Sequence, residues 1–137
     1  MNHTLKRSFK RAFIGFSVGW KETNFRRHLI SMVAVSACVI YYKLSLTHTA
    51  IIFMCIFAVL TAELANTAVE KLADGHKNPR AALDVSACAV LVASIGSAII
   101  GLIIFINYAW SSPWMLLISI IITPTLWVIM EKYGPSK

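Results

Sequence analysis

Acidic residues are scarce: six Asp and Glu stand against 13 Lys and Arg, giving a formal net charge of +7. Cysteine is scarce too. Cys38, Cys55 and Cys88 each sit alone in apolar sequence, without a CxxC or a Cys/His ligand spacing. That excludes a disulfide framework and a zinc site, and leaves them as small apolar fillers. No glycine-rich GxxxxGK[ST] loop and no soluble-kinase signature occur, so a nucleotide site here would need another architecture. The first residues are polar and basic through Arg11, which argues against a cleavable signal peptide. Ile51 to Ala62 carries no charge at all.

What is present is hydrocarbon. The apolar share is 58% and the mean hydropathy is +0.70, more than soluble domains carry. A length of 137 residues suits one domain. The basic residues bracket the apolar runs, so the expected partner is an anionic membrane surface and not nucleic acid.

Residues 4–26 read as an amphipathic surface helix, with Leu5, Phe9, Phe13, Phe16 and Trp20 recurring at spacings of three and four. Gly15 and Gly19 form a GxxxG pair that admits a close helix neighbour. Leu29 to Tyr42 is a short apolar run that spans a bilayer only as 29–46, after recruiting Lys43 to Leu46. Residues 43–49 then read as a polar turn, and 50–73 as a second span. Asp74-Gly75 stops that helix, and Asn78-Pro79 starts a third over 79–108 as N-cap and first-turn proline. In it, Ala89, Ala93, Ser97 and Gly101 make a stripe of small side chains suited to tight packing in lipid. Residues 107–137 form an extension with a candidate fourth span at 114–130, kinked at Pro124. Trp110, Trp114 and Trp127 suit interfacial belts. The expected fold is therefore all-α and membrane-embedded: a surface helix and three core spans in residues 1–106, and then the extension.

If all four runs cross, 12 of the 13 basic residues fall on one side, which should be cytoplasmic and holds the N-terminus. The acids gather there as well. On a helix turning about 100° per residue, Glu63, Asn66, Glu70 and Asp74 lie within roughly 80° and form a polar stripe about 16 Å long. Carboxylates next to hydrocarbon are costly and mark a site, although Glu and Asn also serve as interhelical hydrogen-bond glue. Glu22 has a plain alternative as a partner for Lys21 or Arg26, and Arg80 and Asp84, four apart, have one as a simple pair. Five acids (Glu22, Glu63, Glu70, Asp74, Asp84) are placed to meet at this interface, and clustered carboxylates call for a cation such as Mg²⁺. Arg7, Arg11, Lys77 and Arg80 lie close enough in sequence to hold phosphate charge. Glu63, the deepest acid, is placed to take a proton from a hydroxyl entering from the lipid, as phosphoryl transfer requires. The residues alone lead to metal-binding carboxylates at a membrane surface.

The stretch Glu63-Leu-Ala-Asn66-Thr67-Ala68-Val69-Glu70-x-x-x-Asp74 resembles the signature of the prokaryotic diacylglycerol kinase and undecaprenol kinase family. Phe9-x-x-Ala12-x-x-Gly15, Glu22-x-Asn24-Phe25-Arg26 and Asp84-Val-Ser-Ala-Cys-Ala-Val agree with it. The resemblance covers about residues 5–106. It implies a multi-pass lipid kinase of the bacterial inner or plasma membrane, a homotrimer with cytoplasmic active sites shared between subunits. ATP with Mg²⁺ would phosphorylate a lipid hydroxyl, on undecaprenol or diacylglycerol. By position, Glu63 resembles the general base and Asn66 its support. Glu22 and Glu70 resemble the metal ligands, Asp74 and Asp84 complete the nucleotide side, and His76 matches a histidine in the covering loop. Two departures stand out. Leu83 replaces the lysine usual before Asp84, so Arg80 would have to supply that charge, and the loop from Asp74 to His76 is short. Two other functions compete: a small proton-coupled transporter, which would place a lone acid at mid-membrane, and a catalytically inactive member of the same fold.

Overall fold

The computed structural model describes residues 2–76, 79–110 and 113–133, which form five helices: α1 Asn2–Lys21, α2 Thr23–Tyr41, α3 Leu46–Ala73, α4 Arg80–Ala109 and α5 Trp114–Tyr133. No strand occurs among the described residues. Helices α3 and α4 are long and apolar enough to cross a membrane, while the apolar run inside α5, Leu117–Ile129, is shorter. Helix α2 stands apart from these because Arg26, Arg27 and His28 interrupt its first two turns.

The expected single helix over 4–26 is broken. Helix α1 stops at Lys21, Glu22 takes extended backbone (φ −83°, ψ 131°), and α2 begins at Thr23. The Gly19 carbonyl accepts from the Glu22 N–H at 2.9 Å and closes the corner. The corner lets Phe25 pack edge-on against Phe16, with ring centroids 5.6 Å apart. The apolar spacing runs out at Trp20, so it carried no information about this break.

The expected span over 29–46 also ends early. Helix α2 stops at Tyr41, and Lys43 adopts φ +49°, a left-handed conformation that ends helices. Ser45 then caps α3, its Oγ accepting from the His48 N–H at 3.3 Å. Leu46 to Thr49 are therefore helical, and the span expected from residue 50 gains a turn. Helix α3 ends at Asp74-Gly75, where φ +92° at Gly75 needs a residue without Cβ. Asn78 lies outside the described residues, and Pro79 occupies the cap position itself, with Arg80 opening α4.

Hydrogen bonds fix the pairing. Ser86 bonds Asn66 and Ser97 bonds the Cys55 carbonyl, so ascending positions on α4 meet descending ones on α3 and the two form an antiparallel hairpin. Of the small-residue stripe, Ser97 makes this bond, while Gly101 faces open space. At the far end Tyr108 closes the bundle, its hydroxyl 2.8 Å from His48 Nδ1 and accepting from the Ser45 N–H at 3.4 Å. A small core of Cys38, Val39, Ile52, Ile104 and Phe105 fills that end.

Helix α5 returns along α2. Met115 packs on the far-end core, and at the other end Glu131 pairs with Arg27 at 2.7 Å while Trp127 Nε1 donates to the Arg27 carbonyl at 3.2 Å. Trp127 is thus turned inward, whereas Trp110 and Trp114 are exposed. The helix continues through Pro124, where Thr125 Oγ1 bonds back to the Ile121 carbonyl. Among the described residues all three cysteines are free thiols, with Cys38 in the core. Large apolar side chains such as Leu102, Ile103, Ile120 and Ile121 point outward. Water does not tolerate so continuous an apolar surface, and lipid does.

Of the two α1 glycines, one is used. A Cβ on Gly19 would meet Leu64 Cδ2 at 2.6 Å, while none of the described residues lies within 4 Å of one on Gly15. Gly19→Val should therefore lower stability by roughly 1–3 kcal/mol through overpacking. Gly15→Ala should gain up to about 1 kcal/mol from helix propensity. Thermal unfolding in detergent followed by circular dichroism reads both.

Candidate functional site

The polar stripe of α3 faces the corner between α1 and α2. Glu63, Asn66 and Thr67 are buried there, Glu63 with only 4% of its surface exposed. Together with Glu70 and with Glu22, Thr23 and Asn24 from the corner, they line a cavity of about 100 Å³. Three carboxylates from two separate parts of the chain thus open onto one polar chamber.

Each carboxylate has a polar partner. Glu63 Oε1 lies 3.1 Å from His28 Nε2 on α2. Glu70 Oε1 accepts from Asn66 Nδ2 at 2.9 Å, the i to i+4 contact that helical spacing allows. Asn66 Oδ1 in turn accepts from Ser86 Oγ at 2.6 Å, which ties α4 to the stripe and fixes the orientation of the amide. Glu22 Oε1 lies 3.3 Å from Lys71 Nζ on α3. The sequence offered Lys21 or Arg26 as its partner; the corner at Glu22 turns the carboxylate towards α3 instead. Arg26 is buried at 4% exposure and reaches Thr23 Oγ1 at 3.5 Å, with Nε and Nη1 lacking hydrogen-bond partners among the described residues.

The remaining expected residues stand outside this chamber. Asp74, His76, Arg80 and Asp84 are exposed, and no ion pair joins Arg80 to Asp84 among the described residues. The expected convergence of five acids is thus reduced to three around the cavity. Asp74 is the C-cap just past the end of α3, four residues beyond Glu70, and does not line the cavity. Lys77, expected to hold phosphate charge, lies outside the described residues.

Sequence reasoning missed His28, Lys71, Thr67 and Ser86. Thr67 and Ser86 lie inside motifs already singled out, and Ser86 falls two residues after Asp84. His28 had one available signal: a buried glutamate needs a donor, and few residues near the start of the first apolar run can provide one.

A second, larger cavity of about 420 Å³ lies between α2, α3 and α4. Its wall is apolar (Val35, Ile52, Val59, Phe105), and it is bounded by His28 and by Trp127 of α5. His28 therefore faces the apolar cavity while its partner Glu63 faces the polar one.

Among the described residues no group of three or more His, Cys, Asp or Glu side chains forms a protein-only metal cage. Glu22 and Glu70 on one chamber do match the donor set of Mg²⁺, which takes one or two carboxylates and completes its shell with water and phosphate.

Similarity to known proteins gives the class, that of membrane lipid kinases. The chain belongs to the prokaryotic diacylglycerol kinase family, whose sequence model matches residues 10–105. It is 39% identical over 90 residues to an undecaprenol kinase of Bacillus subtilis, a match covering 62% of this chain and 73% of that protein. It is 33% identical over 101 residues to a diacylglycerol kinase of a Synechocystis species, covering 69% of this chain and 58% of that protein. No solved structure matches the chain significantly. The matched family segment holds α2, α3 and nearly all of α4, and α5 lies beyond it.

The Ser86–Asn66 bond sits where α4 supports the stripe. Ser86→Ala should cost about 1 kcal/mol, the usual worth of one hydrogen bond. Chemical unfolding in detergent measures the loss.

Proposed function

We propose that the chain transfers the γ-phosphate of ATP to the hydroxyl of a membrane lipid, with undecaprenol ahead of diacylglycerol as acceptor. The observation that carries this reading is the placement of Glu63 with Glu22 and Glu70 around one chamber, at the end of an apolar hairpin in a lipid kinase family member. The greater identity to the undecaprenol kinase supports the choice of acceptor.

In this reading, Glu63 takes the proton of the acceptor hydroxyl. Its burial suits that role, since a base shielded from water meets the incoming lipid and not solvent. Asn66 holds Glu70 by its amide N–H, so the stripe is set before substrate arrives. Glu22 and Glu70 would hold Mg²⁺, which when bound would supply neutralisation of phosphate charge. Asp74, His76, Arg80 and Asp84, at the open end of the hairpin, contact the nucleotide, with Arg80 supplying the charge that Leu83 lacks.

The arrangement in the bilayer follows from the same residues. Helix α1 lies on the surface with Leu5, Phe9, Phe13, Phe16 and Trp20 in the headgroup boundary. Helices α2, α3 and α4 span the inner or plasma membrane and α5 crosses as a fourth. The N-terminus and the chamber are cytoplasmic, because the basic residues concentrate at that end. Arg27 and Glu131 meeting at one end supports an inward return of α5. A homotrimer completes the site and covers part of the outward apolar surface.

Purified protein in mixed micelles with Mg²⁺ and labelled ATP should phosphorylate undecaprenol, diacylglycerol or both. Absence of labelled lipid from folded protein would overturn the assignment. Glu63→Gln should lower turnover by about 10²–10⁴-fold, the usual worth of a general base. Turnover near that of the wild type would remove Glu63 from the role.

A further inference from the structure

Glu63 carries the most deeply buried carboxylate of the described residues, and a buried charge without a hydrogen-bond partner is severely penalised. Its partner among the described residues is His28, with Nε2 3.1 Å from Oε1. Seen along α2, His28 is the first polar side chain inside the bundle after Arg26 and Arg27, and it lies at the edge of the apolar cavity. Glu63 lies at the edge of the polar one. The pair therefore forms the partition between a chamber suited to phosphate and metal and a chamber suited to hydrocarbon.

We propose that His28 is the positioning residue for Glu63 in lipid phosphorylation, a role that rests on the kinase reading above. A carboxylate oxygen accepts hydrogen bonds, so the contact places the imidazole proton on Nε2. That N–H holds Oε1 and leaves the second oxygen to take the acceptor's proton. The two substrates come from opposite directions, the lipid alcohol from the apolar side and the phosphate from the polar side. A base that serves both must stand at the partition in one fixed orientation, and His28 is the group that fixes it. Glu22 lies against Lys71 and Glu70 against Asn66, while His28 is the histidine contact of Glu63.

Two variants and one spectrum test this. His28→Leu keeps the apolar bulk and removes the donor, while His28→Gln supplies an amide N–H of similar reach. In the micelle assay with the full chain, His28→Leu should lower kcat on the order of 100-fold, as loss of reactive alignment does, with KM for lipid and ATP little changed. His28→Gln should recover most of that loss. Full kcat in His28→Leu, a Gln variant no better than the Leu variant, or an effect confined to KM would each overturn the role. Nitrogen NMR of ¹⁵N-histidine-labelled protein gives a readout independent of turnover. The wild-type His28 signal should show a proton held on Nε2, and Glu63→Gln should shift it. An unshifted signal overturns the proposal even if the Leu variant fails to fold. Wild-type protein that labels no lipid sinks the kinase reading, and the spectrum then decides the His28–Glu63 contact by itself.

Discussion

A carboxylate drawn into an apolar helix bundle must be met by a donor, and the structure near the candidate site is shaped by how Glu63 is met. The donor comes from α2, so α2 has to begin beside the middle of α3's polar stripe. The break at Glu22 makes this possible. It turns the chain from α1 into α2 within one residue and brings Glu22, Thr23 and Asn24 onto the same chamber as Glu63 and Glu70. A continuous helix through residue 26 would carry these groups off along the direction of α1.

The rest of the bundle supports this junction from a distance. The hairpin of α3 and α4 is joined near the site by Ser86 to Asn66 and midway by Ser97 to the Cys55 carbonyl. At the opposite end Tyr108 ties α4 to the turn between α2 and α3. Few side chains are fully buried, and the core of Cys38, Val39, Ile52, Ile104 and Phe105 lies at that opposite end. Phe25, the most buried side chain, packs the corner beside the polar chamber, so each end of the bundle has its own buried anchor. The larger, apolar cavity runs between these ends, from His28 to Ile52 and Phe105 of the core.

Much of the stripe was legible because helical period is a local property: Asn66 and Glu70, four apart, do meet. The burial of Glu63 followed from its place at the end of an uncharged run. What the spacing could not supply was everything set by contact between helices. His28 and Lys71 become partners of Glu63 and Glu22 only through the crossing of α2 over α3. Asp74, the cap residue after Ala73, is exposed and takes no part in the lining of the chamber, because α3 ends before it. The capping at Ser45 and the left-handed Lys43 likewise reset the start of α3, and neither interrupts the apolar pattern.

The contact at Gly19 has a mechanical consequence. Helix α1 rests against Leu64 without an intervening side chain, and Glu22 follows one residue after that helix ends. Any sliding or tilting of α1 must therefore be transmitted to the Glu22 carboxylate with little slack. In the arrangement proposed, where α1 floats at the headgroup level, bilayer thickness and lateral pressure would act on it like a hand on a short lever, and the geometry of the polar chamber would register the state of the surrounding lipid.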